Sequence, residues 1–287
     1  MTVRLDPGAE PDVGSEDESS SAGLAIETGW TQADVLLSAG ALASFVVLWE
    51  GVVRLLRVPE IVLPPPTSVL AALYSILVSG AVFVHLGITL TEILLGFAIG
   101  AVFAFVLGSL IALFRFVDRM LYPYIIALQA VPKVALAPLL VIWFGFGLES
   151  KILMTAVIAF FPILVNTVVG LRHVEQDRLD LMVALKATRW QIFRFVRLPT
   201  ALPFIFAGLD VGIVLSVIGA IVGEFVGASG GLGYLLLVYN ADLKIAAVFA
   251  LLIILAVLGI VLHSSVMLVQ RRVMFWAETG TDRVVTV

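Results

Sequence analysis

Residues 69–113 read VLAALYSILVSGAVFVHLGITLTEILLGFAIGAVFAFVLGSLIAL, with Glu92 the one formally charged residue among them. As a single helix this stretch would extend about 67 Å at 1.5 Å per residue, roughly twice the hydrocarbon core of a bilayer. It must break, and Gly80 and His85 are the natural places. The reading is a helix over 67–83 lying at the membrane surface, followed by a crossing over 86–113. Pro64-Pro65-Pro66-Thr67, just before it, supplies a stop and then an N-cap signal.

The rest of the chain extends this pattern. Of 287 residues, 61% are apolar and 13% charged, and the mean hydropathy is +1.12. Soluble domains run at roughly 45–50% apolar and about 25% charged. Too little polar sequence is present to cover a soluble fold, which excludes soluble enzymes, nucleic-acid-binding domains and disordered chains. The composition predicts an all-α polytopic membrane protein. Six runs are long enough to cross: 33–56, 86–113, 121–147, 150–170, 203–227 and 245–269. Residues 33–276 form the membrane domain. Residues 1–32, rich in Ser, Gly, Asp and Glu, read as a disordered acidic tail, and 277–287 as a second tail. With no cysteine, disulfides and thiolate chemistry are excluded, and His85, His173 and His263 make no metal-ligand spacing.

The net charge of −4 conceals an asymmetry. Residues 1–34 carry eight acids and one base, leaving 13 acids and 16 bases in the rest. In a six-span topology twelve bases share one side: Arg4, Arg115, Arg119, Arg172, Arg178, Lys186, Arg189, Arg194, Arg197, Arg271, Arg272 and Arg283. Arg54, Arg57, Lys151 and Lys244 lie on the other. The positive-inside rule then places both termini in the cytoplasm. The longest polar connection, 171–202, is cytoplasmic in this scheme. Its stretch Leu181–Val196 has helical spacing with apolar and basic faces, and Pro199 and Pro203 are expected to close it. On these residues alone it is either a helix lying on lipid headgroups or a docking helix for a cytoplasmic partner. Trp190 fits an interfacial anchor or a docking contact equally.

Ala184-Leu185-Lys186-Ala187-Thr188-Arg189-Trp190-Gln191-Ile192-Phe193, then Leu198-Pro199 and Ala201-Leu202-Pro203, resembles the EAA loop of permease subunits of bacterial ATP-binding-cassette importers. Leu63-Pro64-Pro65-Pro66-Thr67, Pro132-Lys133-Val134-Ala135, Trp143-Phe144-Gly145-Phe146-Gly147, Glu224-Phe225-Val226-Gly227 and Gly231-Leu232-Gly233-Tyr234 resemble the nitrate/sulfonate/taurine branch, which includes permeases for vitamin precursors such as thiamine precursors. One departure stands out. Where the family has Glu-Ala-Ala, three residues and Gly, this chain has Asp180, Leu181, Met182 and Lys186.

The resemblance implies a type I importer permease fold with a surface helix in the first outer loop and a cytoplasmic coupling helix over about 180–197. It implies a homodimer in a prokaryotic inner membrane, an extracytoplasmic solute-binding protein, and separate ABC ATPase subunits carrying ATP and Mg²⁺. The coupling residues it implies are Asp180, Ala184, Lys186, Ala187, Arg189, Trp190, Ile192, Phe193, Leu198 and Pro199. Ile192 and Phe193 would seat in the ATPase groove, and Arg189, Arg194 and Arg197 would meet an acidic rim. The substrate would be a small solute such as nitrate, a sulfonate, taurine or a vitamin precursor.

Ionisable residues inside spans are the other candidates. Lys133, nearest mid-membrane between Pro132 and Pro138, is the leading residue for a translocation path, with Glu92, Asp210 and Glu224 behind it. Glu224 is expected near the outer interface, where it reaches headgroups or water, as does Glu50. The second reading of the chain is a stand-alone carrier coupled to protons through Glu92, Lys133 or Asp210. Gly96-x-x-x-Gly100 predicts a close helix contact, within or between chains. Gly230-Gly231-Leu232-Gly233 lacks the Gly-Lys-Ser/Thr ending of a phosphate loop, so the chain itself takes no cofactor. Gly227-Ala228-Ser229-Gly230 with His263 mimics an intramembrane protease, but the two residues fall at opposite ends of their spans, too far apart for a nucleophile and base.

Overall fold

The computed structural model describes residues 32–275, all helix and connecting turns with no strand among them. The expected C-terminal tail and all but the last residue of the acidic tail lie outside the described residues. The helices are α1 (Gln32–Leu55), α2 (Pro66–Ser79), α3 (Ala81–Leu113), α4 (Arg115–Ala130), α5 (Ala137–Phe144), α6 (Leu148–Arg172), α7 (Gln176–Ala184), α8 (Arg189–Ile192), α9 (Leu198–Gly227), α10 (Leu232–Ala241) and α11 (Ile245–Val273). Five of them, α1, α3, α6, α9 and α11, are long and apolar enough to cross, α9 being counted from Arg189. The pair α4 and α5 meets the same length and hydropathy requirement only when its two pieces are taken together.

The expected break at Gly80 is present: this residue has φ 74° and separates α2 from α3. A left-handed residue between two helices favours glycine, which has no Cβ to clash. Helix α2 begins one residue earlier than expected, with Pro66 at its first position, where the missing N–H has no partner to lose. Thr67 does not cap it. Its N–H and hydroxyl donate instead to Glu50 (3.1 and 2.9 Å), and Arg54 donates to the hydroxyl (3.1 Å), tying α1 to α2. Nor does α2 simply lie on a surface. Val69 and Ile76 are buried against Leu232, Leu235, Ala250 and Leu251 of α10 and α11.

The third span, expected as one run over 121–147, is bent by 91°. Pro132 is the cause: the residue before a proline is driven out of helical geometry, and Val131 is extended at ψ 128°. A short 3₁₀ turn, Lys133–Leu136, leads into α5. In the fifth span, Pro199 and Pro203 do not end the helix. Residues 189–227 form one helix, with a π turn at Phe193–Arg197. In that turn Leu198 N–H bonds back five residues to Phe193 O. The wider turn comes immediately before Pro199 and gives its ring room that an α-helical turn would deny.

Helix α6 sits between α3 and α9 and packs extensively on both. Small residues make this possible. A Cβ on Gly100 of α3 would lie 2.7 Å from Ala156 O, and one on Gly219 of α9 would lie 2.8 Å from Thr155 Cα. The Gly96/Gly100 stripe therefore serves a contact within the chain. Gly219→Ala should lower the melting temperature of the detergent-purified protein, with a cost of about 1–3 kcal/mol for overpacking against backbone. Gly259→Ala on α11, where nothing lies within 4 Å, should be neutral or slightly stabilising.

Candidate functional site

Two places concentrate the candidate residues, one at each end of α9. The first is the connection 171–202. Its helical stretch is not continuous. Helix α7 ends at Ala184, and Lys186 has φ 57°. Lys186 N–H bonds to Val183 O and Ala187 N–H to Met182 O, each at 2.9 Å. This is a Schellman cap with lysine at the left-handed position that glycine usually fills. The geometry explains why a glycine belongs there and shows that the turn survives its replacement. Thr188 then starts α8 with a reciprocal cap: its hydroxyl accepts from Gln191 N–H (3.3 Å), and Gln191 Oε1 accepts from Thr188 N–H (2.7 Å). Two caps back to back leave little freedom between α7 and α8.

The side chains sort by exposure. Asp180 is exposed and accepts from Gln176 Nε2 at 2.9 Å. Ala184, Lys186, Arg189 and Trp190 are exposed, while Ala187, Ile192, Leu198 and Pro199 are half-buried. Phe193, expected as an anchor for a partner, is buried with Leu171, Ala201 and Ile205. It fixes the loop to its own helices because the π turn rotates it inward. Trp190 stacks on the Phe193 ring at 5.5 Å between centroids and remains largely exposed. At the base of the loop, Arg172 pairs with Asp118 of α4 (2.7 Å). Arg178 pairs with Glu175 (2.8 Å), whereas Lys186, Arg189, Arg194 and Arg197 have no acidic partner among the described residues.

The second place is a polar cluster sealed among apolar helices. Glu92 of α3 and Glu224 of α9 are both fully buried and adjoin one another. Lys151 of α6 is also buried and places its Nζ 3.7 Å from Glu92 Oε1. Glu224 accepts from the Thr89 hydroxyl (2.6 Å) and from the N–H of Gly233 in the first turn of α10. Thr89 Oγ1 accepts in turn from Leu232 N–H (2.8 Å), and His85 Nδ1 from Gly231 N–H (3.0 Å). The free amides of a helix start are thus met by a carboxylate, a hydroxyl and an imidazole. A Cβ at Gly231 or Gly233 would collide with the Glu224 carboxyl, which accounts for both glycines.

Glu224 therefore does not reach headgroups or water. Depth along one helix could not show that α10 folds back over its end. Of the expected path residues, Glu92 and Glu224 come together, while the other two stand apart. Lys133 is half-buried on the 3₁₀ turn, donating to Gln129 O (3.1 Å) and lying 4.7 Å above the Phe161 ring. Asp210 pairs with His263, so that histidine is engaged away from Ser229. Lys151, Thr89 and His85 were missed as site residues. His85, Thr89 and Glu92 fall at i, i+4 and i+7, one polar stripe on an apolar helix, and that spacing was a usable signal.

Two measurements test this geometry. Lys151→Met should destabilise the purified protein by about 3–5 kcal/mol, because it leaves the buried Glu92 without its cation, and adding Glu92→Leu should recover part of the loss. Lys186→Gly should raise thermal stability by about 1 kcal/mol by removing the left-handed penalty on a side chain.

The matching family model is the binding-protein-dependent transport system inner membrane component, over residues 100–275. The chain is 37% identical to the riboflavin transport system permease protein of Chloroflexus aurantiacus, covering 82% of this chain and 88% of that one. It is 35% identical to the formylaminopyrimidine transport permease protein of Halalkalibacterium halodurans, covering 81% and 92%. With the taurine transport system permease protein of Escherichia coli K12 the values are 32%, 84% and 90%. Among solved structures, an inward-facing form of the MetNI methionine ABC transporter shares the fold, with a TM-score of 0.59 at 21% identity, covering 68% of this chain and 97% of that one. The broken third span, the capped loop and the helical core thus belong to a transport permease and not an enzyme: the chain is a multi-pass inner-membrane member of the binding-protein-dependent transport system inner membrane component family.

Proposed function

We propose that this chain is the membrane-spanning subunit of an ATP-driven importer, that two copies enclose the solute path, and that 176–197 is the seat of a separate ATPase. The observation that carries the reading is the continuity of α8 with α9. A partner that moves Trp190 moves a helix running to Gly227, because the caps hold α8 and the π turn leaves no break. The exposed Trp190 and the unpaired Lys186, Arg189 and Arg194 suit an apolar groove with an acidic rim. Asp180 and Ala184 flank this face, and Ile192, Phe193, Leu198 and Pro199 support it from behind. The side bearing the loop is cytoplasmic, as are both termini, in line with the excess of bases there. A solute-binding protein would meet the opposite end, near α10.

Of the path candidates, Lys133 and Asp210 are half-exposed and suit a wall of the path, whereas Glu92 and Glu224 hold the helices that form it. The substrate is a small solute of the kinds named for the relatives, which include riboflavin, formylaminopyrimidine, aliphatic sulfonates and taurine. Lys133 favours an acidic member of that group.

In reconstituted vesicles, uptake should require the ATPase subunit and ATP. Trp190→Asp should cut uptake about tenfold or more and weaken co-purification of the ATPase, as loss of a central aromatic contact does. Phe193→Asp should instead prevent folding. Uptake by the purified chain alone, driven by a proton gradient, would replace this reading with the proton-coupled carrier.

A further inference from the structure

A groove of about 830 Å³ runs between the C-terminal end of α3 and the α8–π-turn segment. It has two chemically distinct parts. Its wall is apolar, with Val106, Leu110 and Leu113 exposed along the last turns of a helix that crosses the membrane. Its rim carries Arg115, Arg189 and Arg197, and no acidic residue lines it. None of these guanidiniums has an ion pair among the described residues. Ser109 also lines the groove, and its hydroxyl is buried without a hydrogen-bond partner. It lies four residues before the end of α3, about 6 Å deeper along that helix.

We propose that this groove is a site for an acidic phospholipid. The phosphate meets Arg115 and Arg197, the rim arginines not assigned to the ATPase, and planar guanidiniums bind phosphate oxygens in pairs. An acyl chain lies along Leu113, Leu110 and Val106. Arg115 lies just past the end of α3, and Leu113, Leu110 and Val106 follow it successively deeper along that helix, the order of a lipid from headgroup to tail. A protein partner needs no apolar wall running into the hydrocarbon, and a free anion would leave that wall unused. Basic pockets at the membrane boundary are suited to acidic headgroups. Because Arg189 and Arg197 stand on the helix that holds Trp190, a lipid seated here would brace the loop against α3. The leaflet rests on the cytoplasmic placement of the loop proposed above. The site itself does not.

The purified importer, permease with ATPase, is equilibrated with equal amounts of phosphatidylglycerol and phosphatidylcholine, and retained lipid is measured by native mass spectrometry. Phosphatidylglycerol should be retained in preference. Arg115→Gln combined with Arg197→Gln should lower its retention about fivefold for each arginine neutralised, and leave phosphatidylcholine unchanged. Arg272→Gln, outside both the groove and the loop, should have no effect on retention. Leu110→Trp, which fills the wall, should reduce retention in a protein that still elutes as a folded complex. Equal retention of the two lipids, or no loss in the double variant, overturns the proposal. So does phosphatidylglycerol bound by the isolated permease but displaced in the assembled importer, which would assign the groove to the ATPase or to the second permease copy. An ATPase that fails to co-purify while lipid selectivity persists would count against the importer reading alone.

Discussion

The rest of the structure depends on how closely α6 approaches α3 and α9. Inside a bilayer the helices gain nothing by hiding apolar surface from lipid, so contact must come from packing and polar pairs. Gly96 and Gly100 on α3 and Gly212, Gly219 and Gly223 on α9 remove the side chains that would hold backbones apart. Once α6 is drawn in, Lys151 is carried against Glu92, which adjoins Glu224, and Thr155 and Thr167 turn their hydroxyls back onto their own helix. Close packing and burial of charge are one event here. Helices held farther apart would admit water or lipid to the carboxylates.

Helix α9 gives this core its mechanical meaning. At one end it continues into α8 and the doubly capped turn. At the other, Glu224 holds the first turn of α10. From Arg189 to Glu224 is 35 residues of one helix, about 52 Å. Under the proposed coupling, displacement of the loop reaches the opposite end without crossing a flexible joint.

Much of the fold was legible because the bilayer imposes length and polarity on sequence. The break at Gly80 followed from a run too long for one crossing, and the crossings followed from apolar length. The third span was less legible, since Pro132 lies in a run apolar enough to cross and only the backbone shows a 91° bend. The prolines of the fifth span were misread in the opposite sense. A proline usually ends a helix, and the π turn that accommodates Pro199 leaves no mark in composition. In the loop, chemistry was legible and direction was not. The resemblance assigned Phe193 to a partner, while the turn rotates it into the core.

By itself the sequence determined that this chain lies in a membrane as a bundle of helices, which end carries the bases, and which connection is unusual. These are properties of length, hydropathy and charge, and they are local. Only the tertiary structure decided which sparse charges meet. Glu92, Lys151 and Glu224 are separated by 59 and 73 residues and share no sequence pattern, yet they form one buried cluster. Pairing inside a bundle depends on which helix faces which, and at what rotation. That is set by glycine contacts summed over three helices, a property that no single stretch of sequence displays.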